Sequence, residues 1–296
     1  EDALDYVREK GTPIVIKASG LALGKGVYVC GTNAEAEEAL KEIMINRAHK
    51  DAGDEVVTEE FLDGEEVSIH ALCDGKEYLM FPPAQDHKRI GEGDTGKNTG
   101  GMGVIAPVLK IGGEMQNEIR TKVIRPILSA LEKRGAPFSG LLYPGLKITS
   151  KGPKVLEFNA RFGDPECQVY MRLMNTGLLE LLEACADGNL AGKYLEWNPG
   201  FAVNIVLASG GYPDAYKKGF PITGIEEAEK IPGVVVFHAG TAIQGETLNT
   251  AGGRVLGVSA VGDTLKQALD HAYEAVELIN FEGKYFRRDI GAKALL

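Results

Sequence analysis

The run VLEFNARFGDPE, at residues 155–166, constrains this chain more than any other feature. Alternate residues of a β-strand point to the same face, so Glu157 and Asn159 share a face that Arg161 continues. A buried strand would not otherwise carry three such side chains, because each costs free energy when it is buried without a partner. Two oxygen ligands suit Mg²⁺, which shares its other positions with nucleotide phosphates and water. Arg161 is able to clamp a phosphoryl group or a carboxylate. Structural salt bridging is the alternative interpretation.

A second segment, KASGLALGKG, runs from Lys17 to Gly26 between the predicted strands PIVIK and VYVC. A Gly-rich loop of this kind can fold its backbone N–H groups over phosphates while Lys neutralises them. It is not a Walker motif, because Gly-x4-Gly-Lys-Ser/Thr is absent. Phosphate binding and a flexible hairpin both remain open for this segment alone.

A third segment, EEFLDGEE, covers Glu59 to Glu66. A strand that runs into a bend exposes backbone groups able to pair with an adenine edge, and a carboxylate just beyond can accept from ribose hydroxyls. Taken alone, the segment favours the simpler interpretation of an acidic turn on a solvated face.

Residues 84–107 are polar and Gly-rich, and we expect a long functional loop there. Turn chemistry explains its glycines and Asn98, but not the adjacent Asp86, His87, Lys88 and Arg89. The combination favours an anion site. His87 alone fits a core or capping role equally well.

Short β-type runs and amphipathic helices alternate along the rest of the chain. The best candidate for a domain boundary is DGNLAGKYLEWNPG, residues 187–200, before a small α+β unit. We predict helices at residues 2–7, 32–45, 114–134 (interrupted near Pro126), 178–187 and 265–278. We predict strands at residues 13–17, 27–30, 55–61, 67–73, 77–81, 139–149, 154–158, 202–209, 234–239 and 254–260.

Composition excludes several classes of function. The net charge is −10 and no Lys/Arg cluster follows the sequence, which argues against general nucleic-acid binding. The four cysteines form no CxxC pair, so a disulfide framework or Cys-rich zinc site is not expected, and a reducing, cytoplasmic compartment fits better. No apolar stretch is long enough to cross a membrane.

Together these segments resemble the ATP-grasp superfamily, and more closely the glycinamide ribonucleotide synthetases. QDHKR followed by NTGGMG and then EFNxRFGDPE is a highly specific combination, and the matching runs fall in the family's order over nearly the whole chain. These runs are PIVIKASGLALGKGV, VVTEEFLDGEEVS, PPAQDHKRIGEGDTGKNTGGMG, KVLEFNARFGDPECQ, SGGYPDAY, FHAGT, GGRVLGVSA and YFRRDIGAKAL.

The resemblance implies roles for individual residues. Lys17 should contact ATP phosphates, with Gly24, Lys25 and Gly26 closing above them. Glu59, Glu60 and Leu62 should line the adenine end, and Glu66 should hold the ribose. Glu157 and Asn159 should bind Mg²⁺ or Mn²⁺. The residues expected around substrate and transferring phosphate are Asp86, Lys88, Asn98, Arg161, Gly163 and Asp164, with Asp86, Lys88 and Arg161 as the catalytic group.

The resemblance also implies an α/β ATP-grasp fold of two α+β lobes that hold ATP between them, with a small C-terminal α+β domain. We place the lobes at residues 1–62 and 63–192 and the last domain at 193–296. The expected reaction joins glycine to 5-phosphoribosylamine through a glycyl phosphate, in purine biosynthesis. The family has an additional N-terminal domain that is expected to be missing here, and fusion to other purine-pathway domains is possible. The alternatives are another ATP-grasp carboxylate–amine ligase, or a nucleotide-binding fragment inactive without that domain.

Overall fold

The computed structural model describes residues 2–22 and 26–295 of the chain. They form two compact units, Glu1–Asp63 and Gly64–Leu296. Gly24 and Lys25, both predicted to close over phosphates, lie outside the described residues.

The first unit is a three-stranded antiparallel sheet in the order β2-β1-β3, with helices packed on it. Helix α2 begins with a reciprocal capping box between Thr32 and Glu35, which satisfies backbone N–H groups at the helix start. The core of this first unit includes Val7, Ile16 and Ile43, all fully buried. The elements are α1 (Asp2–Lys10), β1 (Ile14–Ala18), β2 (Val27–Cys30), α2 (Asn33–Leu40), and β3 (Val56–Glu60), with a π turn at Lys41–Ile45 and a 3₁₀ turn at Lys50–Gly53.

The second unit begins with a five-stranded sheet whose long central strand is β11. The order is β12-β11-β5-β6, and β4 also pairs with β11. Helix α6 contacts β5 and β11. Not all strands of this part of the chain belong to the five-stranded sheet. In chain order, the elements from Glu65 to Ala186 are β4 (Glu65–Ser68), β5 (Ala71–Asp74), β6 (Tyr78–Met80), β7 (Gln85–Asp86), β8 (Arg89–Gly91), β9 (Thr95–Asn98), β10 (Gly103–Ala106), α3 (Gly113–Ile119), α4 (Arg125–Lys133), β11 (Ser139–Thr149), β12 (Gly152–Asn159), α5 (Glu166–Leu173) and α6 (Leu178–Ala186).

A six-stranded sheet completes the second unit, in the order β14-β17-β13-β10-β7, with β18 paired to β13. Helix α8 packs on β13 and β17 through an apolar face that is almost wholly buried. The remaining elements are β13 (Phe201–Ser209), α7 (Ile225–Ala228), β14 (Val234–His238), β15 (Thr241–Gln244), β16 (Thr247–Thr250), β17 (Arg254–Gly262), α8 (Leu265–Leu278) and β18 (Lys284–Tyr285).

This sheet runs across the boundary predicted at residue 192, because β10 pairs antiparallel with β13. The three-part division of the chain stays a prediction. The structure shows two units, with the first ending at Asp63.

Residues 84–107 differ from the long loop predicted there. Four short strands, β7 to β10, lie within them, and β8 and β9 form a separate two-stranded ribbon. Periodicity did not reveal them because strands of two to four residues are too short to alternate visibly. Helix α5 was not predicted either, and the strand predicted at residues 67–73 is broken into β4 and β5 around His70.

The helix predicted at residues 114–134 is interrupted as expected. Helices α3 and α4 are joined by a π turn at Arg120–Ile124, which ends two residues before Pro126. Proline has no N–H to donate to the preceding turn, and a wider turn accommodates that loss.

None of the helices in the described part of the chain combines the length and apolar character needed to cross a membrane.

Candidate active site

The polar face predicted at the end of β12 is present. The Asn159 amide donates to Glu157 Oε1 at 3.2 Å, and an Arg161 guanidinium nitrogen lies 3.4 Å from Asn159 Oδ1. The strand itself ends at Asn159, so Arg161 sits just beyond it. The structure thus brings two oxygen-bearing side chains and one cation together.

The premise that this strand is buried was wrong. β12 is at the edge of its sheet, and Glu157 and Phe158 are exposed. A register shift opposite Gly145 and Leu146 leaves Leu156 as an extra residue, with Glu157 opposite Gly145 and Val155 opposite Leu146. Such a bulge bends a strand and re-aims the side chains that follow it. The bulge, rather than simple alternation, determines where Glu157 points.

Glu66 and Lys147, both on this sheet, form a charged group with Lys88, which lies between β7 and β8. Lys147 lies opposite Glu66 across β4 and β11, with its Nζ 3.4 Å from Glu66 Oε1. Lys88 Nζ lies 3.6 Å from Glu66 Oε2. The carboxylate predicted to hold ribose therefore sits between two cations. Lys147 was not predicted, although a lone Lys in the apolar run LLYPGLKIT is a signal that points to it.

Asp86 borders the same small recess as Glu66 and Lys88. Its Oδ1 is buried, and no hydrogen-bond partner for that atom lies among the described residues. Burial raises the pKa of Asp86 well above its usual value and the Glu166 carboxylate adds to this, while Lys88 and Arg254 oppose it. A carboxyl that has one buried, unsatisfied oxygen and a raised pKa is typical of functional sites.

Lys88 stays protonated despite its surroundings. Burial alone would lower its pKa, but the carboxylates of Glu66, Asp86, Glu157 and Glu166 outweigh burial and raise the pKa. The Lys88 ammonium therefore interacts electrostatically with both Asp86 and Glu157.

Two glycines make room for this arrangement. Gly101 has φ +115°, and a Cβ there would lie 2.6 Å from Asp86 Oδ1 and 2.5 Å from Pro165 Cδ. A Cβ on Gly163 would overlap the Glu166 carboxylate. Both positions bring the backbone too close to a carboxyl group for a side chain to fit.

The backbone of Gly163 is held by a buried histidine. Its N–H donates to His70 Nε2 at 3.1 Å, so the other ring nitrogen carries the proton and donates to the Tyr170 hydroxyl at 3.0 Å. The His70 ring stacks on Tyr143 with centroids 4.1 Å apart. Burial, and then the Arg161 charge, lower the pKa of His70 to about 3. His70 is therefore a neutral support beneath the loop.

Glu166, the last residue of the opening run, is buried next to this support. One carboxylate oxygen accepts hydrogen bonds from the Ser68 and Tyr143 hydroxyls, each at 2.6 Å. Three of the buried residues that hold Gly163 and Glu166 were not identified from the sequence: Ser68, His70 and Tyr143. Their only local signal is polar or aromatic character inside otherwise apolar strands.

Asp164 is tied to the last sheet. Arg254 donates to its carboxylate at 2.9 Å and to its backbone carbonyl at 2.7 Å, and also to the Gly100 carbonyl at 2.7 Å. Arg254 thus joins the loop of Asp164 to the loop of Gly100.

Three other polar residues of the 84–107 segment, Asn98, Arg89 and His87, lie in the β8–β9 ribbon or in the core. Asn98 lies opposite Arg89 in the β8–β9 ribbon and is exposed. Arg89 donates to the Gly96 carbonyl. His87 is buried, accepts from Gly291 N–H and donates to the Gly103 carbonyl, and burial lowers its pKa to about 4. His87 thus has the core role that the sequence left open.

The predicted nucleotide residues of the first unit lie on its sheet. Lys17 Nζ is 2.6 Å from Glu59 Oε2, joining β1 to β3. The Gly26 carbonyl accepts from Ala18 N–H at 2.8 Å, which closes the two ends of the Gly-rich segment. Glu60 is exposed at the end of β3, and Leu62 follows it.

Two family models match the chain. The phosphoribosylglycinamide synthetase ATP-grasp (A) domain matches residues 1–167, and the C domain of the same family matches residues 202–293.

Individual proteins are similar over almost the whole chain. A phosphoribosylamine–glycine ligase of Brucella melitensis is 49% identical over 98% of this chain and 68% of its own length. The crystal structure of phosphoribosylamine–glycine ligase from Thermotoga maritima superposes with a TM-score of 0.86 at 39% identity, covering 97% of this chain and 71% of that one.

A more distant structure shares only the fold. The biotin carboxylase domain of Hydrogenobacter thermophilus 2-oxoglutarate carboxylase, solved with MgADP and bicarbonate, has a TM-score of 0.68 at 17% identity, covering 96% of this chain and 60% of that one. The fold is therefore ATP-grasp, as the sequence predicted, and the chain belongs to the phosphoribosylglycinamide synthetase family of ligases.

Proposed function

We propose that this chain carries the ATP-dependent step of a phosphoribosylamine–glycine ligase, joining glycine to 5-phosphoribosylamine. The observation that carries the proposal is the group of Glu157, Asn159 and Arg161 at the end of β12, whose Glu157 charge also acts on Lys88, in a chain 49% identical to such a ligase. The chain spans about two thirds of that relative's length, so the activity of the whole relative is proposed rather than established for it.

Glu157 and Asn159 suit a divalent cation. Both offer hard oxygen ligands, they lie within hydrogen-bond distance of each other, and Glu157 is exposed. Mg²⁺ or Mn²⁺ accepts one or two protein oxygens and takes its remaining ligands from phosphates and water. When bound, the metal would screen the charge on the nucleotide phosphates. The distant relative solved with MgADP is consistent with this chemistry.

ATP is the proposed nucleotide. Lys17 is proposed to contact its phosphates, and Glu59, Glu60 and Leu62 to line its adenine end. Glu66 is proposed to accept from the ribose. In the structure the Lys17 ammonium is paired with Glu59, so nucleotide binding would exchange that ion pair for phosphate contacts.

The proposed reaction has two steps. A carboxylate oxygen of glycine attacks the γ-phosphorus of ATP, the bond to the β-phosphate oxygen breaks, and ADP leaves. The amine nitrogen of phosphoribosylamine then attacks the acyl carbon of glycyl phosphate, which releases phosphate and one amine proton. Little covalent chemistry is required of the protein, because positioning and charge stabilisation supply most of the catalysis.

The residues of the second unit have proposed parts in these steps. Arg161 and Lys88 stabilise the transferring phosphoryl group, and Asn98 is proposed to contact substrate. Gly163 and Asp164 are proposed to bind glycine from the loop that His70 and Arg254 hold. Asp86, whose raised pKa makes it a candidate proton acceptor, lies beside Lys88.

ADP release with defined substrates tests the proposal. We expect release to require both glycine and phosphoribosylamine, and to be absent with bicarbonate or with other amino acids. Turnover with bicarbonate instead would favour a different ATP-grasp ligase. Calorimetric binding of MgATP without turnover on any substrate, even when the remaining part of a relative is added in trans, would favour a nucleotide-binding module.

A further inference from the structure

A cleft of about 420 Å³ lies in the second unit, and no residue proposed for the ligase site lines it. Six of its lining side chains define it: Arg120, Arg125, Lys193, Tyr78, Tyr194 and Trp197. Its volume is within the range of small-molecule pockets, which begins at about 300 Å³.

The charge of the cleft is opposite to that of the chain. Three cations and one carboxylate, that of Glu77, line it, whereas the chain carries a net charge of −10. No described carboxylate forms an ion pair with Arg120, Arg125 or Lys193. Of these three side chains, that of Arg125 donates a hydrogen bond from Nε to the Tyr78 hydroxyl at 3.1 Å. Unpaired cations at the surface of an acidic protein favour an anionic ligand.

Both arginines of the cleft come from one π turn. Arg125 donates its backbone N–H to the Arg120 carbonyl, so the two residues are one π turn apart. In a regular α-helix, residues five apart point in directions about 140° apart, because each residue turns about 100°. Widening the turn reduces that angle and directs both side chains toward the cleft. π turns of this kind occur frequently at functional sites.

Aromatic side chains line the cleft beside these cations. Tyr194 is 65% exposed, and the partly buried Trp197 packs edge-on against Phe81, with 5.3 Å between ring centroids. Rings that line a cleft are able to stack on a heterocyclic base, which contributes about 1–3 kcal/mol per base, while Arg binds phosphate through paired hydrogen bonds.

From these features we propose that the cleft is a binding site for a mononucleotide, separate from the ATP site of the ligase. The base lies against Tyr194 and Trp197, and the phosphate is bound by Arg120, Arg125 and Lys193. This site does not depend on the proposed ligase activity, because none of its side chains is shared with that mechanism.

The chain has a single tryptophan, Trp197, so its fluorescence reports on the cleft directly. Titration with AMP should change the emission in a saturable way. Adenosine, which lacks the phosphate, and ribose 5-phosphate, which lacks the base, should each bind at least about tenfold more weakly. The titration is repeated with saturating MgATP, and the AMP response should persist.

Arg120→Ser and Lys193→Ser should each weaken AMP binding at least about tenfold. Arg134→Ser is the matched control, because it removes the same charge from an exposed position just beyond α4 and should leave AMP binding unchanged. Lys193 has no described side-chain bond, so its variant tests the site without disturbing the fold.

Two results would overturn the proposal. One is an AMP response that disappears with MgATP yet survives Arg120→Ser and Lys193→Ser, which would place AMP in the ATP site. The other is no change in Trp197 emission with millimolar AMP.

Discussion

His70 and Gly163 are joined by a 3.1 Å hydrogen bond from the backbone N–H of Gly163 to the imidazole Nε2. The bond requires a neutral ring, because a protonated imidazole has no acceptor. The loop that carries Arg161 and Asp164 therefore depends on a buried, uncharged histidine.

We expect this dependence to make the second unit acid-sensitive. The pKa of His70 is lowered to about 3 and that of His87 to about 4, so between these values and 6.5 the unfolded state binds more protons. The contribution of the two histidines to the free energy of unfolding is fully present above pH 6.5. It falls with decreasing pH by up to about 1.4 kcal/mol per pH unit for each histidine. Urea unfolding between pH 7 and pH 5 measures the slope.

His70→Gln should remove part of that slope, and it should also raise the KM for glycine more than the KM for ATP. An unchanged slope in this variant, or no slope in the parent chain, would contradict the assignment of His70 as a neutral support.

Glu157→Gln tests the metal pair. We expect a loss of activity of about 100-fold or more and a higher Mg²⁺ or Mn²⁺ requirement, because an amide is a weaker ligand than a carboxylate. The measurement is ADP release against metal concentration, with thermal unfolding to verify the fold. Glu282→Gln, at an exposed position, is the matched control. Near-normal activity of Glu157→Gln would exclude this residue as a metal ligand.

Asp86→Asn separates function from stability. The raised pKa of Asp86 means that folding disfavours its ionised form, so the neutral amide should increase the urea midpoint at pH 7. Activity should fall by about tenfold or more, because the proposed proton acceptor is lost.

Asp74→Asn should act in the opposite direction on stability. Asp74 accepts from the backbone N–H groups of Lys76, Glu77 and Leu190, which lower its pKa against the effect of burial.

For Asp86→Asn, a less stable variant with full activity would refute the assignment of Asp86 as a proton acceptor with a raised pKa.

Arg254 and Asp164 should be strongly coupled. Arg254 is mostly buried, the Asp164 side chain is 55% exposed, and Arg254 makes two further bonds to backbone carbonyls, so a double-mutant cycle on unfolding should give about 1–2 kcal/mol. Lys97 and Asp214 form a pair of similar length, 2.7 Å, but their side chains are 68% and 64% exposed. That cycle should give about 0–1 kcal/mol. Equal coupling energies would show that Arg254 does not hold the loop.

Gly101→Ala should destabilise the second unit by about 1–3 kcal/mol and displace the Asp86 carboxyl, because the new methyl group has no room. Gly112→Ala is the control, since its φ is −69° and a Cβ there meets nothing within 4 Å. Chemical denaturation of both variants, together with ADP release, gives the comparison. Matching stabilities would remove the steric argument.

Local patterns predicted most of the elements correctly. Strands β1 to β3 and the interruption before Pro126 depend on nearby residues, which the sequence shows directly. The Glu157–Asn159 pair is equally local. Strands β7 and β10 were missed because their pairing with each other and with β13, rather than their own periodicity, defines them. Strands β8 and β9 pair with each other and are too short to alternate visibly.

The sequence by itself determined the family, the ATP-grasp fold and the order of the polar motifs, because these are properties of residue types and their spacing along the chain. Only the tertiary structure decided what holds those motifs in place. The bulge at Leu156 depends on the register with β11, and the supports of Gly163 and Asp164 come from His70 and Arg254, 93 and 90 residues away. Contacts over such separations are selected by packing of the whole unit, and no local pattern encodes them.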